Sequence, residues 1–486
     1  MCFNTFTSPE SKPTENSEMK MFRFKARAIL TILSCMFLLT VPEVSFAAEI
    51  SAELEANILR RIERRLFPGL IIGVVDEQGS RYYGYGKVAL QGEIEPNKDT
   101  VYEIGSVTKT FTATLLADMV LKGELSLNDP VQAFLPDSVV IPQRNGDRIT
   151  LVHLSTHHSA LPRMPSNFSP ENQLNPYVDY TVQNMYDFVS SHTLTRDIGE
   201  RGEYSNLGVG LLGHALSLKA EIGYEELVSE RILRPLSMDS SAITFSDSMS
   251  ERLAPAYAAN GGILFQVENW DLPTFAGAGA IRSTAEDMLQ YLAANIGLLD
   301  SPLNSAMELA HQPRGDFGAG NTKIGLGWII VGEGDNSYHW HNGGTGGYRS
   351  FAGFSTVNKR GVVVLANSTS TPDDIGHHLL NPESPLADAE PPKERVAISL
   401  PEEQLLNLVG SYQLAPEFIV EFTVENGRFY TQATAQPRFE VFAESATEFF
   451  LKVVDAQMTF ELDENEIATR VTLHQNGQNI PGEKLD

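Results

Sequence analysis

The chain has 486 residues, 42% of them hydrophobic and 20% charged, with a formal net charge of −26. That length exceeds one average domain and allows a large buried core, so two or three folded units are expected, with the composition of a soluble globular protein. The acidity argues against nucleic acid or an anionic membrane as partner, because both need clustered Lys and Arg.

Residues 1–18 are polar, and Met19 or Met21 is an alternative start. Lys20, Arg23, Lys25 and Arg27 then precede an apolar run from Ala28 to Val41, followed by Ser45-Phe46-Ala47-Ala48. A basic end, a short apolar stretch and small residues before the cut make a secretory signal, cleaved after Ala47, and imply a secreted or periplasmic protein. Pro42 and Glu43 end the run well short of the roughly 20 apolar residues a membrane span needs. Ile32-Leu33-Ser34-Cys35 faintly resembles a lipoprotein cleavage box, but the apolar run continues past Cys35. The two cysteines, Cys2 and Cys35, fall in the expected extension, so the mature chain would carry no thiol chemistry and no disulfide.

Ala52 to Leu66 reads as an amphipathic helix with Arg60, Arg61, Arg64 and Arg65 on its outer face. Leu70 to Val75 and Tyr82 to Tyr85 flank the turn Asp76-Glu77-Gln78-Gly79, a β-hairpin signal. From Ser106 to about residue 310 the pattern is helical, broken by long loops such as Arg163 to Pro176. Strand signals return at Trp328 to Val331, Tyr348 to Phe354 and Val362 to Leu365. Strands at both ends with helices between predict an α/β (α+β) fold, one sheet built from distant segments with a helical insertion. The composition then shifts to prolines and acids, which reads as a linker. Beyond it Phe418 to Val424, Arg428 to Gln432, Phe449 to Val453, Met458 to Leu462 and Ala468 to His474 alternate polar and apolar, predicting a small all-β module.

Three stretches carry chemistry. In Tyr102 to Thr112, Ser106 and Lys109 lie three residues apart where an extended segment meets an apolar helical pattern. At that spacing the amine reaches the hydroxyl, and a desolvated lysine with a depressed pKa can take its proton. The same spacing at Ser17 and Lys20 shows how weak the pair is alone, and a helix N-cap with a solvated lysine is the plain alternative. Tyr204-Ser205-Asn206 precedes a second helical pattern; a phenol can relay a proton and an amide can hold a substrate amide. His341-Asn342-Gly343-Gly344 opens a Gly-rich run ending at Tyr348, where glycines bring backbone N–H groups close to a ligand.

Taken in this order, S-x-x-K at Ser106, Y-x-N at Tyr204 and H-x-G at His341 resemble the class C β-lactamases and the related DD-peptidases and esterases of the penicillin-recognising serine hydrolases. Leu127 to Pro136, Leu154 to Pro162, Gly277 to Asp287 and Gly325 to Trp328 extend the likeness over roughly residues 55–370, and the C-terminal module resembles a lipocalin-like β domain. The resemblance implies a β-lactamase/transpeptidase-like domain at 48–372 after an extension and signal at 1–47, a Pro/acid-rich linker at 373–399 and a small antiparallel, barrel-like β domain at 400–486. It implies Ser106 as acylated nucleophile, Lys109 as its proton acceptor, Tyr204 as proton relay, Asn206, His341, Asn342 and Gly343 as substrate-binding residues, and the N–H groups of Ser106 and Gly344 as oxyanion hole. No cofactor or metal is implied; the partner is a small-molecule or peptide substrate.

One departure bears on substrate. True class C β-lactamases carry K-T-G where this chain has His341-Asn342-Gly343, while Lys359-Arg360-Gly361 sits before a strand and reads as a hairpin turn. A histidine of ordinary pKa is mostly neutral at pH 7, so recognition of a β-lactam carboxylate should be weaker. The expected function is an exported serine hydrolase forming an acyl-enzyme on a β-lactam, a D-amino-acid peptide or an ester. The alternatives are a DD-peptidase or esterase with little β-lactamase activity, and a non-catalytic receptor for cell-wall fragments. Eleven histidines without H-E-x-x-H or thiols give no metal signature, and no G-x-S-x-G elbow is present.

Overall fold

The computed structural model describes residues 50–485 except 261–262, 319, 388–394, 416–417, 435, 437, 453–455 and 476–477. The expected extension and signal peptide at 1–47, with Cys2 and Cys35, lie outside the described residues. Among the described residues no helix is long and apolar enough to cross a membrane.

The first helix, α1 (Ala52–Glu63), is capped by Ser51, whose side chain accepts from the Leu54 amide. It leads into the hairpin β1 (Gly69–Asp76) and β2 (Gly79–Gly86), joined at the turn read from the sequence. The remaining strands of the main sheet are β3 (Gly315–Asp316), β4 (Lys323–Ile324), β5 (Ile329–Val331), β6 (Tyr338–Gly344), β7 (Arg349–Ser355) and β8 (Arg360–Ala366). They form one antiparallel sheet in the order β2-β1-β8-β7-β6-β5-β4-β3. Strand β1 therefore pairs with a strand almost 300 residues away, Val74 opposite Val362.

Both faces of the sheet are covered, which is why its central strands read as continuous apolar runs rather than alternating ones. On one face Ile71, Val75, Ala352, Phe354, Val363 and Leu365 join the large core with α2 (Thr108–Leu121), α3 (Asn206–Ala220), α4 (Ala276–Gly279) and α5 (Ala285–Asn295). On the other face Leu70, Ile72, Val74, Phe351, Val362 and Val364 pack with α1 and α6 (Asp373–Leu380). Helix α2 is buried from Thr108 to Met119, so it is the helix inside the core and not a one-faced surface helix. Its threonines are accommodated because their hydroxyls donate within the fold, Thr114 to the Thr110 carbonyl at 2.9 Å and Thr112 to the Gly277 carbonyl at 2.6 Å.

Helix α6 corrects the expected linker. Its Ile375 is fully buried, and Asp374 takes a bidentate pair from Arg61 of α1 while also accepting from the Ala387 amide at 2.8 Å. Residues 373–387 thus fold onto the sheet, and Arg61, placed on an outer face by the sequence reading, is 3% exposed. Burying an arginine is tolerated here because its guanidinium meets the Asp374 carboxylate and the Ala387 carbonyl.

The C-terminal strands are β9 (Gly410–Ala415), β10 (Phe418–Glu425), β11 (Arg428–Ala433), β12 (Arg438–Ala443), β13 (Glu448–Leu451), β14 (Ala456–Leu462), β15 (Ala468–Gln475) and β16 (Gln478–Lys484). They close into an eight-stranded barrel. The turn between β10 and β11 places Asn426 and Gly427 at φ 52° and 73°, the two left-handed positions an Asn-Gly hairpin supplies. Tyr412, Phe422, Phe429, Phe449 and Phe460 pack ring against ring at the centre, so the interior is filled by side chains.

Ser106 is held by backbone contacts between its turn and the sheet. Gly105–Val107 form a 3₁₀ turn running straight into α2. Gly105 has φ +49°, and a Cβ there would lie 2.6 Å from the Gly344 nitrogen. A Cβ on Gly343 would lie 2.0 Å from the carbonyl oxygen of Ile104, which accepts the Ser350 hydroxyl at 2.8 Å. Gly343→Ala is therefore expected to destabilise the protein by about 1–3 kcal/mol or more, as overpacking does. The loop substitution Gly92→Ala, whose nearest neighbour would be an ordinary 3.5 Å away, should change stability by less than about 0.5 kcal/mol. Urea unfolding of the two variants measures the difference.

Candidate active site

The Ser106 turn is fastened on two sides. The Ile104 amide donates to Ile281 O at 3.1 Å, and the Ile281 amide donates to the Thr108 hydroxyl at 3.1 Å. One turn on, Lys109 is fully buried, with Nζ 2.9 Å from Ser106 Oγ and 2.7 Å from Ala278 O. Burial, reinforced by the Arg163 guanidinium, holds its pKa well below the ordinary lysine range. A neutral amine has two N–H groups and one lone pair; with one N–H given to Ala278 O, the lone pair can accept the Ser106 proton. Helix α4, which supplies that carbonyl, approaches α3 through glycines: a Cβ on Gly213 would lie 2.9 Å from the Gly277 Cα.

Tyr204 arrives from a loop laced to residues 157–163. Ser205 caps α3 by accepting the Gly208 amide at 2.8 Å, its hydroxyl donates to Pro162 O at 2.7 Å, and its amide donates to His157 Nδ1 at 3.2 Å. The Glu203 amide donates to His157 O, and the Asn206 amide donates to Arg163 O at 3.0 Å. His157 and Ala160 hold positive φ without being glycine, at 61° and 63°, a local strain that this lacing sustains. The His157 ring packs on the Tyr204 ring at 4.5 Å, and since its Nδ1 accepts a hydrogen bond the imidazole carries its proton on Nε2. Burial pushes its pKa well down, so it stays neutral. Lys109 Nζ lies 4.8 Å from the Tyr204 ring centre. Burial raises the Tyr204 phenol to about 12, partly offset by the Ser106 hydroxyl and the Arg163 guanidinium. Tyr204 is therefore a neutral phenol beside the serine at physiological pH.

Ser106, Asn206 and Gly344 line one open cleft, whose other walls include Tyr177, Trp270 and Thr345. Asn206 Nδ2 touches the Met164 sulfur at 3.8 Å, and its Oδ1 has no hydrogen-bond partner among the described residues. Asn206 thus brings a buried, unmatched amide oxygen to the cleft wall. The Trp270 wall is set by Glu103, whose buried carboxylate accepts the Trp270 amide and the Asn269 side chain, each at 3.0 Å.

The H-x-G segment divides by strand alternation. His341 sits on β6 facing the large core, 1% exposed, its ring 6.1 Å from that of Tyr204 and its Nδ1 donating to Asn342 O at 2.5 Å. Burial and the nearby Lys109 push its pKa down to about 3. It supports the site from behind Tyr204 and does not line the cleft. Asn342 corrects the sequence reading. The β pleat turns it to the other face, where its amide donates to Asp373 at 2.6 Å, so its side chain is not offered to the cleft. Gly343 has no side chain to offer and makes the close approach to Ile104. Lys359 is remote from the cleft, donating to Ile296 O at 2.8 Å. The sequence reading missed His157 as support for Tyr204, Arg163 beside it, and Glu103 behind Trp270. Only the strained L-S-T-H-H-S-A-L-P segment carried a signal for His157, and Arg163 directly follows it.

The chain matches the Beta-lactamase family over residues 54–381 and a domain of unknown function (DUF3471) over residues 394–484. It is 29% identical over 322 residues to the D-alanyl-D-alanine-carboxypeptidase/endopeptidase AmpH of Escherichia coli strain K12, covering 62% of this chain and 80% of that protein. A Beta-lactamase of the same strain is 27% identical over 375 residues, covering 68% of this chain and 93% of that protein. Among solved structures, the Beta-lactamase/D-alanine Carboxypeptidase from Yersinia pestis complexed with citrate superposes with TM-score 0.59 at 22% identity, covering 68% of this chain and 95% of that one. The octameric penicillin-binding protein homologue from Pyrococcus abyssi superposes with TM-score 0.61 at 22% identity, over 89% of this chain and 99% of that one. With a family match over two thirds of its length and the corresponding fold, the chain belongs to the Beta-lactamase family and is a serine hydrolase of that family.

Proposed function

We propose that the protein hydrolyses an amide or ester through an acyl-enzyme on Ser106. The observation that carries this is the fully buried Lys109 amine 2.9 Å from the Ser106 hydroxyl. The neutral amine takes the serine proton as Oγ bonds to the substrate carbonyl carbon, and the resulting oxyanion accepts from the N–H groups of Ser106 and Gly344. The proton passes from Lys109 through the Tyr204 phenol to the departing nitrogen or oxygen, whose bond to carbon breaks. In the second half a water attacks the ester, giving its proton back along Tyr204 and Lys109, and Ser106 is regenerated. Asn206 donates and accepts at the substrate amide.

The neutral, buried His341 supports a peptidase or esterase with little β-lactamase activity, because the segment supplies no cation for a β-lactam carboxylate. The basic and apolar N-terminal pattern supports export to the periplasm or medium with cleavage after Ala47, and the relatives' names fit a cell-wall peptide as substrate. We assign residues 50–387 to the hydrolase unit and the C-terminal strands to a lipocalin-like β unit whose interior, filled by side chains among the described residues, supports a stabilising or lid role.

Intact-mass analysis after a fluorophosphonate should show one adduct on the wild type and none on Ser106→Ala; an adduct on both contradicts the assignment, and no adduct on either favours a non-catalytic receptor. With a penicillin, an adduct persisting for minutes is expected, whereas rapid turnover would mark a β-lactamase. The pH dependence of kcat/KM follows from the two perturbed groups. Activity rises as Lys109 loses its proton, well below the ordinary 10.5, and stays flat until Tyr204 ionises near 12. Lys109→Arg, which cannot act as a base, should lower kcat by roughly 10²–10⁴-fold. His341→Gln should leave the acid limb where it is, because His341 is already neutral there; a limb that moves with this substitution contradicts the assignment. Deleting residues 400–486 should lower stability alone if the barrel is an appendage and change relative kcat/KM between substrates if it is a lid.

A further inference from the structure

The site as described holds no cation to meet an anionic substrate: Lys109 is held toward the neutral amine and His341 is neutral. Arg349, beside Gly344, is committed through its guanidinium to the carbonyls of Thr345 at 3.0 Å and Tyr348 at 2.9 Å. Arg163 is different. Its backbone is fixed, because its carbonyl accepts the amides of Asn206 at 3.0 Å and Leu207 at 3.3 Å at the start of α3. Its side chain is exposed, with the guanidinium carbon 4.9 Å from the centre of the Tyr204 ring. Its charge is felt by Tyr204, by Lys109 and by Tyr177, which lines the cleft. The next residue, Met164, touches Asn206 and the Tyr177 hydroxyl, both of which line the cleft, so the Arg163 segment borders the cleft wall.

The guanidinium has no hydrogen-bond or ion-pair partner among the described residues, although the chain carries 62 acidic residues against 36 basic ones. The other arginines close to the catalytic domain's core find a carboxylate or a carbonyl, as Arg61, Arg196, Arg231 and Arg282 do with acids and Arg349 does with Thr345 and Tyr348. A planar donor fork left unpaired at the mouth of a cleft, on a fixed backbone, is suited to a bidentate carboxylate. In a strongly acidic protein it is also the local feature that would draw an anion inward.

We propose that Arg163 receives a carboxylate of the substrate at the mouth of the Ser106 cleft and so determines specificity for anionic over neutral substrates, an inference that rests on the acyl-enzyme reading above. The cation that the His341 segment lacks is thus supplied from the loop beside Tyr204, on the other wall of the site.

The test is protection of Ser106 from a neutral fluorophosphonate, read by intact mass, using N-acetyl-D-alanyl-D-alanine against its C-terminal amide and benzylpenicillin against its methyl ester. Each variant is referred to its own labelling rate without competitor. In the wild type at least one free acid should protect at a concentration roughly ten- to a hundredfold below its neutral partner, the range of a charge-assisted pair. Arg163→Ala and Arg163→Gln should bring that ratio close to one, and Arg163→Lys should restore part of it. Equal protection by acid and neutral partner in the wild type, no protection by any competitor, or a ratio unchanged in Arg163→Ala overturns the proposal. A shifted pH profile of labelling with an unchanged ratio also overturns it, because Arg163 would then act only through its charge on Lys109. If the wild type takes no fluorophosphonate at all, the acyl-enzyme reading itself fails, which the other outcomes do not imply.

Discussion

The site depends on an amine kept out of water. Lys109 lies in a helix buried on every side, where a charged ammonium would lose its hydration without gaining a carboxylate. Its polar contacts are a hydroxyl and a carbonyl, Ser106 Oγ and Ala278 O, neither of which compensates a positive charge as an acid would. The balance falls on the neutral form, and the lone pair that results is aimed where a serine proton must go. The surrounding core therefore sets the protonation state of this one nitrogen.

Holding the amine at 2.9 Å from the hydroxyl requires the helix, the sheet and α4 to meet without side chains between them. Glycines at 105 and 343 let the turn carrying Ser106 rest directly on β6, and the close approach of Gly213 to Gly277 sets α4 against α3 so that the Ala278 carbonyl reaches Lys109. Tyr204 is placed by a different device, hydrogen bonds from its own loop to the strained segment at 157–163. Packing thus fixes the nucleophile and base, and a polar network fixes the phenol. Both converge on Ser106, which lines the cleft together with Asn206.

Much of this was legible in the sequence, and the parts that were not have physical reasons. The hairpin at 69–86, the late strands and the Asn426-Gly427 turn were readable because their signals are local. The order S-x-x-K, Y-x-N, H-x-G brought forward Ser106, Lys109, Tyr204 and Asn206, which lie near one another in the structure. Helix α2 was legible as an apolar helical pattern, but the burial of its threonines, whose hydroxyls donate inside the core, leaves no local signal. The segment 373–387 was read as linker from its prolines and acids; the pairing of Asp374 with Arg61, 313 residues away, gives no local pattern. Asn342 was assigned to the substrate because it stands inside a motif, but the strand pleat turns it to the opposite face. The β strand containing His341 was hidden by its glycines, which weaken the apparent strand propensity while enabling the contact that matters.

The most direct test of this account is the ionisation of Lys109 in the resting protein. Carbon NMR of protein labelled at the lysine Cε, with Lys109→Arg to assign the resonance, follows that amine through a pH titration. The account predicts a resonance that titrates well below the ordinary lysine value of 10.5 and is absent from the variant. A Lys109 that titrates with the surface lysines would be a cation throughout the physiological range, and Ser106 would need another base.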